Sequence, residues 1–199
     1  MSFLEYARPY RGSPLPTDVN AVVSATVRLL GNEAIPERIR LVQDLAHGLP
    51  QVSVDPEQLK QVLINLVLNA VQALPAGGQI TISTGHARAQ PGSLTAIATG
   101  ESGHVVLSVH DNGHGITPED LGRIFVPFFT TKPKGTGLGL AISQRIIENS
   151  GGTIGVASRA DEGTTFSVRL PALAAVHERR DTAPDPVPAH SLATSRTTA

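Results

Sequence analysis

The stretch Asp55–Leu74, DPEQLKQVLINLVLNAVQAL, contains the clearest helix signal in this 199-residue chain. Asp55 is a suitable N-cap and Pro56 suits the first helical position, so we predict that the helix begins there. It is expected to end before the turn sequence PAGG at 75–78. The apolar residues recur at three- and four-residue spacing along one helical face. They are Leu59, Val62, Leu63, Leu66, Val67, Ala70, Val71 and Leu74.

Other elements are predicted on both sides of this helix. A helix is expected over Thr17–Leu30, with Thr17 or Asp18 as its cap. A later helix is expected from about Gly137 to Asn149. Alternating residues predict strands at Ile39–Leu45, Gln51–Val54, Gln79–Thr84 and His104–His110, and a closing hairpin at 151–171. The polar stretch Gly85–Gly103 is expected to be a long hairpin loop. This order indicates an α+β fold in which one mixed sheet is covered on one face by helices.

The composition excludes several functional classes. Hydrophobic residues make up 40% of the chain, enough for a core, and that core is aliphatic. The 16 Lys and Arg nearly balance the 17 Asp and Glu, so no basic field favours nucleic acid. There is no cysteine, which excludes disulfides, thiolate catalysis and a cysteine zinc site. No apolar run is long enough to span a bilayer and no signal peptide is visible, so we expect a cytoplasmic domain without membrane contact.

The two ends of the chain differ in composition from its centre. Ser2–Tyr10 is consistent with the last turns of a helix that Pro9 ends, followed by a linker. The end of the chain, from about Ala175, is rich in Pro, Ala, Ser and Thr and is expected to be disordered. The expected organisation is a helix remnant and linker at 1–16, a domain at 17–174 and a tail at 175–199. A domain that begins with a helix remnant is expected to be part of a longer protein.

Two asparagines interrupt the strong helix. Asn65 and Asn69 are four residues apart and share a face, with Gln61 and Gln72 beside them. An Asn in the interior of a helix lowers the stability of the helix by about 0.7 kcal/mol relative to Ala, so the presence of two asparagines requires an explanation. Either an Asn carbonyl is one of the oxygens around Mg²⁺, or this is a polar face turned to solvent.

Three other segments are candidates for a site. HDNGHGI at 110–116 places a carboxylate at the end of an apolar strand. This carboxylate either accepts a hydrogen bond from the exocyclic amine of a nucleobase or belongs to a tight turn. PFFTTK at 127–132 contains two Phe that either fill the core or anchor a mobile loop. TKPKGTGLGLAIS at 131–143 leads into a helix, where backbone amides can bind an anion. It matches neither a Walker A loop nor a dinucleotide fingerprint.

Together these segments resemble the ATP-binding catalytic domain of protein histidine kinases. In order they match the N box (QLKQVLINLVLNAVQAL), the first glycine box (DNGHGI), the F box (FVPFFTTK) and the second glycine box (GTGLGLAIS). The resemblance covers about Thr17–Pro171. It implies the Bergerat fold of the GHKL superfamily, a two-layer sandwich with a mixed, mostly antiparallel sheet, and it implies ATP and Mg²⁺ as ligands.

The resemblance also implies roles for individual residues. Asn69 would coordinate Mg²⁺. Asp111 would accept a hydrogen bond from the adenine amine, and Thr164 would lie near the adenine. Lys132 and Lys134 would belong to a mobile lid over ATP at about 117–136. The full set of implied nucleotide-binding residues is Asn65, Asn69, Ala73, Asp111, Gly113, Gly115, Ile116, Phe128, Lys132, Lys134, Gly135, Thr136, Gly137, Leu138, Gly139, Leu140 and Thr164.

Asn65 separates branches of the superfamily. In the ATP-hydrolysing members, a Glu at this position activates water, and an Asn cannot accept that proton. Because phosphoryl transfer depends mainly on positioning and charge neutralisation, the site favours a kinase over an ATPase. Asn65 is therefore the candidate catalytic residue.

The acceptor histidine that such a kinase needs is not recognisable here. No sequence resembles the phosphoacceptor motif, and His114, inside the first glycine box, occupies a variable position. The stretch 4–23 resembles the end of the second dimerisation helix, and the linker after it, of nitrogen-regulation-type sensor kinases. We therefore expect a catalytic domain that phosphorylates a histidine on its kinase's dimerisation domain, for relay to a response regulator. A stand-alone serine kinase of the anti-sigma type and a non-enzymatic, ATP-driven module are the alternatives.

Overall fold

The computed structural model describes residues 12–87, 103–132 and 135–173. Its strands are β1 (Leu15–Thr17), β2 (Ile39–Leu45), β3 (Val52–Val54), β4 (Gly78–Ala87), β5 (His104–Asp111), β6 (Thr153–Arg159) and β7 (Gly163–Pro171). Its helices are α1 (Val19–Ala34), α2 (Pro56–Ala73), α3 (Pro118–Leu121) and α4 (Gly139–Asn149).

A five-stranded sheet forms one layer of the fold, in the order β2-β4-β5-β7-β6. β2 runs parallel to β4, and the other neighbouring strands are antiparallel. The register places Asp111, the last residue of β5, opposite Ile80 of β4 and Thr164 of β7. The carboxylate of Asp111 is therefore positioned by the central strands of the sheet.

The helices cover one face of this sheet. Buried residues alternate along β5, where Val105, Leu107 and Val109 lie in the core and His110 is exposed. α2 packs against the sheet and lies between α1 and α4. Since the described helices that pack on the sheet cover one of its faces, the fold is the expected two-layer α+β sandwich, and α2 is at its centre.

The helix starts follow from the local sequence. Asp18 caps α1 by accepting from the backbone amides of Asn20 and Ala21. Asp55 caps α2 in the same way, and Pro56 occupies the first turn. α1 was expected to end at Leu30, and it continues to Ala34 only across a kink at Gly31, whose φ of 45° is not helical.

Most element bounds agree with the sequence analysis, and the N-terminal boundary differs. Leu15 and Pro16 were placed in the linker, but they belong to β1, which pairs with β3 as a separate two-stranded sheet. Backbone pairing across the chain is not visible in local composition, which explains this difference. The expected helix at 2–10, most of the loop at 85–103, Lys134 and the tail at 175–199 lie outside the described residues.

We expect Leu63→Ala to destabilise the fold by about 2–5 kcal/mol, because the fully buried α2 side chain would leave a cavity. Chemical denaturation followed by circular dichroism measures this loss. Leu29→Ala on α1 is the control: Leu29 is 65% exposed, so its loss should change stability by no more than about 0.5 kcal/mol. Equal losses in the two variants would contradict the assignment of α2 as the centre of the core.

Candidate functional site

Three parts of the fold meet at a cleft of about 430 Å³. They are the second half of α2, the end of β5 with its paired residues of β7 and the segment that follows β5, and the start of α4 with the segment before it. The residues lining it are Asn65, Asn69, Gln72, Ala73, Asp111, His114, Gly115, Ile116, Thr117, Asp120, Ile124, Phe129, Thr130, Thr131, Lys132, Gly135, Thr136, Gly137, Gly139, Leu140, Thr164 and Phe166.

Asp111 is a buried carboxylate in the wall of this cleft, with only 3% of the residue exposed. Burial raises the pKa of Asp111, because the charged form loses its hydration. The Gly113 amide opposes this by donating to Oδ1 at 2.9 Å, and His110 and His114 also favour the charged form. A carboxylate kept in such a place is a strong acceptor for a ligand that brings a hydrogen-bond donor.

The segment after β5 is held between α2 and the β6–β7 turn. The His114 amide donates to the Ala73 carbonyl at 3.3 Å, and the Asp161 amide donates to the His114 carbonyl at 2.8 Å. Gly115 has a φ of 69°, and a Cβ there would lie 1.9 Å from the Arg159 carbonyl oxygen. The glycine is therefore needed for the close approach of two backbone segments that shape this end of the cleft.

Asn65 connects α2 to α4. Its Nδ2 donates to the buried Ser143 hydroxyl at 3.0 Å. A Cβ at Gly139 would lie 2.3 Å from the Asn65 Oδ1, so only a glycine lets the first turn of α4 approach this closely. The polar face of α2 is thus turned toward α4 and the cleft.

The N-terminus of α4 differs from the other helix starts. Asp18, Asp55 and Thr117 cap α1, α2 and α3, whereas Leu138 occupies this position in α4 and no side chain caps it. The uncapped amides and the positive end of the helix dipole favour an anion. Because Gly137 and Gly139 line the cleft, this anion site opens into it.

Lys132 crosses the cleft to α2. Its Nζ donates to the Asn69 Oδ1 at 2.8 Å and also to the Gln72 Oε1. Burial lowers the pKa of Lys132, since the ammonium is partly removed from water. Among the described residues no carboxylate forms an ion pair with this ammonium, so its charge remains available to an anionic ligand.

The structure brings most of the implied nucleotide-binding residues together. Thirteen of the seventeen line the cleft, and four do not. Gly113 lies behind it as the partner of Asp111, and Leu138 is buried beneath the start of α4. Lys134 lies outside the described residues.

Phe128 is the clear difference from the implied set. It is 56% exposed, while its neighbour Phe129 lines the cleft and stacks on Arg123, whose guanidinium carbon is 4.4 Å from the ring centre. The backbone of Phe128 has a φ of 67°, and its amide donates to the Gly137 carbonyl at 3.0 Å. This left-handed backbone conformation turns the Phe128 ring toward solvent and the Phe129 ring toward the cleft. The sequence alone does not show which of the two rings faces inward.

Several lining residues were not among the candidates. Gln72 was noted beside the asparagines but was given no role, although its three-residue spacing from Asn69 places both on one face. Thr130, Thr131 and Phe166 had no comparable signal. They reach the cleft through the turn after Phe129 and the pairing of β7 with β5.

A protein-family comparison identifies the group to which this architecture belongs. Residues 54–174 match the family model described as Histidine kinase-, DNA gyrase B-, and HSP90-like ATPase. The chain belongs to this family. The matched range contains α2, the end of β5 and α4, which are the three parts that form the cleft.

Individual relatives agree with the family assignment. The chain is 39% identical over 168 residues to the sensor histidine kinase ZraS of Escherichia coli (strain K12), covering 84% of this chain and 33% of ZraS. It therefore spans about a third of that relative's length. No described helix has the length and apolarity required to cross a membrane.

Solved structures of family members share the fold. The catalytic domain of histidine kinase ThkA is 32% identical with a TM-score of 0.65, over 80% of this chain and 96% of that domain. ThkA has also been solved in complex with response regulator protein TrrA. Full-length ShkA in complex with AMPPNP is 29% identical with a TM-score of 0.67, over 84% of this chain and 33% of ShkA.

We expect Asp111→Asn to raise the Tm of the ligand-free protein at pH 7, because a neutral amide replaces a carboxylate that burial deprives of its hydration. Folding raises the pKa of Asp111, so its ionisation becomes more unfavourable in the folded state as pH increases. The gain should shrink as pH falls and disappear below the ordinary aspartate pKa of about 3.9, where both the folded and the unfolded state hold the proton.

Thermal unfolding at several pH values measures this effect. Asp44→Asn on β2 is the control, because Asp44 is exposed and its substitution should change stability by no more than about 0.5 kcal/mol. A lower Tm for Asp111→Asn than for the unchanged protein at pH 7 would contradict the argument from burial.

Proposed function

We propose that this chain binds Mg-ATP and transfers the γ-phosphoryl group to a histidine on the dimerisation domain of its own sensor kinase. The observation that carries the proposal is that a buried carboxylate and an uncapped helix N-terminus line one cleft. The carboxylate can accept a hydrogen bond from the amine of adenine, and the helix N-terminus can bind phosphate. The AMPPNP complex of ShkA supports ATP as the ligand.

The residues of the cleft fit a magnesium ion held largely by phosphate. Among the described residues there is no cluster of three acidic, histidine or cysteine side chains that would hold a metal alone. The Asn69 Oδ1 accepts from an ammonium, so this oxygen already faces a cation. Mg²⁺ takes hard oxygen ligands and usually combines few protein groups with phosphates and water. When bound, the ion would neutralise charge on the β- and γ-phosphates.

Phosphoryl transfer places limited demands on the remaining residues. Asp111 would orient the adenine, and the amides at the start of α4 would bind the phosphate oxygens. The imidazole nitrogen of the acceptor attacks the γ-phosphorus, the bond to the β–γ bridging oxygen breaks, and ADP leaves. No side chain of this chain has to remove a proton in that step.

Asn65 favours transfer over hydrolysis. Its amide donates to Ser143, and a neutral amide cannot take a proton from water. Without a base at this position, a bound ATP is preserved for a positioned nucleophile. Asn65 therefore acts by joining α2 to α4 and keeping the two walls of the site together.

The partners follow from the same chemistry. The dimerisation domain supplies the histidine, and a response regulator receives the phosphoryl group next, as the complex of ThkA with TrrA suggests. The catalytic domain would span about 15–174, because Leu15 and Pro16 pair with β3, and it would be preceded by the end of a dimerisation helix and followed by a tail. We place the domain in the cytoplasm, where ATP and the regulator are available, without nucleic acid or membrane as partners.

Phosphotransfer to a separately supplied dimerisation domain tests the proposal. With γ-labelled ATP and Mg²⁺, we expect an acid-labile label on the supplied domain and none on this chain alone. Asn69→Ala should slow the transfer on the order of a hundredfold, the scale for losing one group that stabilises the transferring phosphoryl. Gln61→Ala, on α2 outside the cleft, is the control. Acid-labile label on this chain, or full transfer by Asn69→Ala, would contradict the proposal.

Asp111→Asn should weaken ATP binding by about ten- to a hundredfold, because a charge-assisted hydrogen bond to adenine is lost. Isothermal titration calorimetry measures the affinity. GTP should bind poorly to the unchanged protein, since it presents an oxygen where adenine presents its amine. Unchanged ATP affinity in the variant would overturn the assignment of Asp111.

A further inference from the structure

Two amide oxygens of α2 converge on one positive charge. Asn69 and Gln72 are three residues apart on the helix, and both accept from the Lys132 Nζ. No described carboxylate takes part in this contact. Two neutral oxygens that share one cation form the same kind of donor set that a hard metal ion uses.

We propose that Asn69 and Gln72 form one cation site for which the Lys132 ammonium and nucleotide-bound Mg²⁺ compete. Lys132 occupies the site when no nucleotide is bound, and the Gln72 Oε1 is the second oxygen ligand of either cation. This inference rests on the proposed function, since the nucleotide brings the metal.

The competition follows from charge and space. An ammonium and a divalent ion repel each other, and both would need the same two oxygens. Lys132 must therefore leave when the metal binds. The Gly135 amide donates to the Lys132 carbonyl at 3.0 Å, and the Lys132 amide donates to the Thr130 Oγ1 at 3.1 Å. Release of the Lys132 side chain would break its contacts with α2.

The Lys132 ammonium has a different role with metal-free ADP than with Mg-ADP. With metal-free ADP, it can remain on α2 and supply the missing positive charge near the phosphates. With Mg-ADP, the metal supplies that charge and the ammonium is displaced. Lys132 should thus support metal-free binding more than metal-dependent binding.

Calorimetry with ADP separates this competition from a simple phosphate contact. The relevant quantity is the magnesium factor, the Kd for ADP in EDTA divided by the Kd for ADP in excess Mg²⁺. In Lys132→Met, the Kd for ADP in EDTA should rise, because the phosphates lose the Lys132 ammonium. The Kd for ADP in excess Mg²⁺ should fall, because Mg²⁺ no longer has to displace that ammonium. We expect the magnesium factor to rise about tenfold, a change typical of one hydrogen-bonded charge. Lys60→Met, which loses an exposed pair with Glu57, is the matched control and should leave it unchanged.

The role of Gln72 is tested with the competitor removed. In the Lys132→Met background, adding Gln72→Leu should lower the magnesium factor by about tenfold, because the metal loses an oxygen. Gln61→Leu in that background is the control. Circular dichroism establishes that each variant is folded. An unchanged magnesium factor on adding Gln72→Leu would remove Gln72 from the site.

Isotope-edited NMR of the lysine ammonium groups provides a readout independent of affinity. The Lys132 signal, assigned with Lys132→Met, should persist with ADP in EDTA and change when Mg²⁺ is added. If the protein binds ADP, either of two results would overturn the inference. One is a magnesium factor that is unchanged in Lys132→Met, and the other is a Lys132 signal that does not change when Mg²⁺ is added. A protein that binds no ADP with or without Mg²⁺ would instead overturn the proposed function.

Discussion

The site depends on the opposite demands placed on the two faces of α2. One face is buried against the sheet and neighbouring helices, so the helix cannot rotate without exposing its core residues. That constraint fixes the direction of Asn65, Asn69 and Gln72, which line the cleft. Packing of an apolar face therefore positions the polar groups, and the fold and the site are consequences of one amphipathic pattern.

The ligand-free cleft contains several groups that a stable fold would normally avoid. Asp111 is a buried carboxylate, the start of α4 is uncapped, and the Lys132 ammonium is held by two neutral amide oxygens without a described carboxylate partner. Each of these groups is only partly satisfied by the protein itself. They gather in one cleft, which is expected when a ligand completes them, because evolution tolerates such costs mainly where function requires them.

Local pattern predicted much of this structure. The bounds of α2, the strand Ile39–Leu45 and the order of the other predicted elements followed from periodicity and capping residues, whereas β1 and the short helix α3 were not predicted. The pairing of Leu15 with Val54 did not follow from these signals, because a short strand is defined by a distant partner. Inward Phe129 and outward Phe128 were not separable either, since a positive φ in one residue decides between them. The contact of Lys132 with Gln72 joins residues sixty positions apart and has no local signal.

The charges of the cleft explain why a nucleotide would bind in one direction only. The carboxylate of Asp111 lies at the end of β5, whereas the positive helix end and the Lys132 ammonium belong to the α4 and α2 side. A triphosphate placed against Asp111 would meet a like charge in a poorly hydrated wall, where repulsion is strong. The adenine amine placed against the start of α4 would meet other donors. Both mismatches disfavour the reversed orientation, so under the proposed function the electrostatic asymmetry would direct the γ-phosphoryl group toward α4 and the segment that contains Lys132.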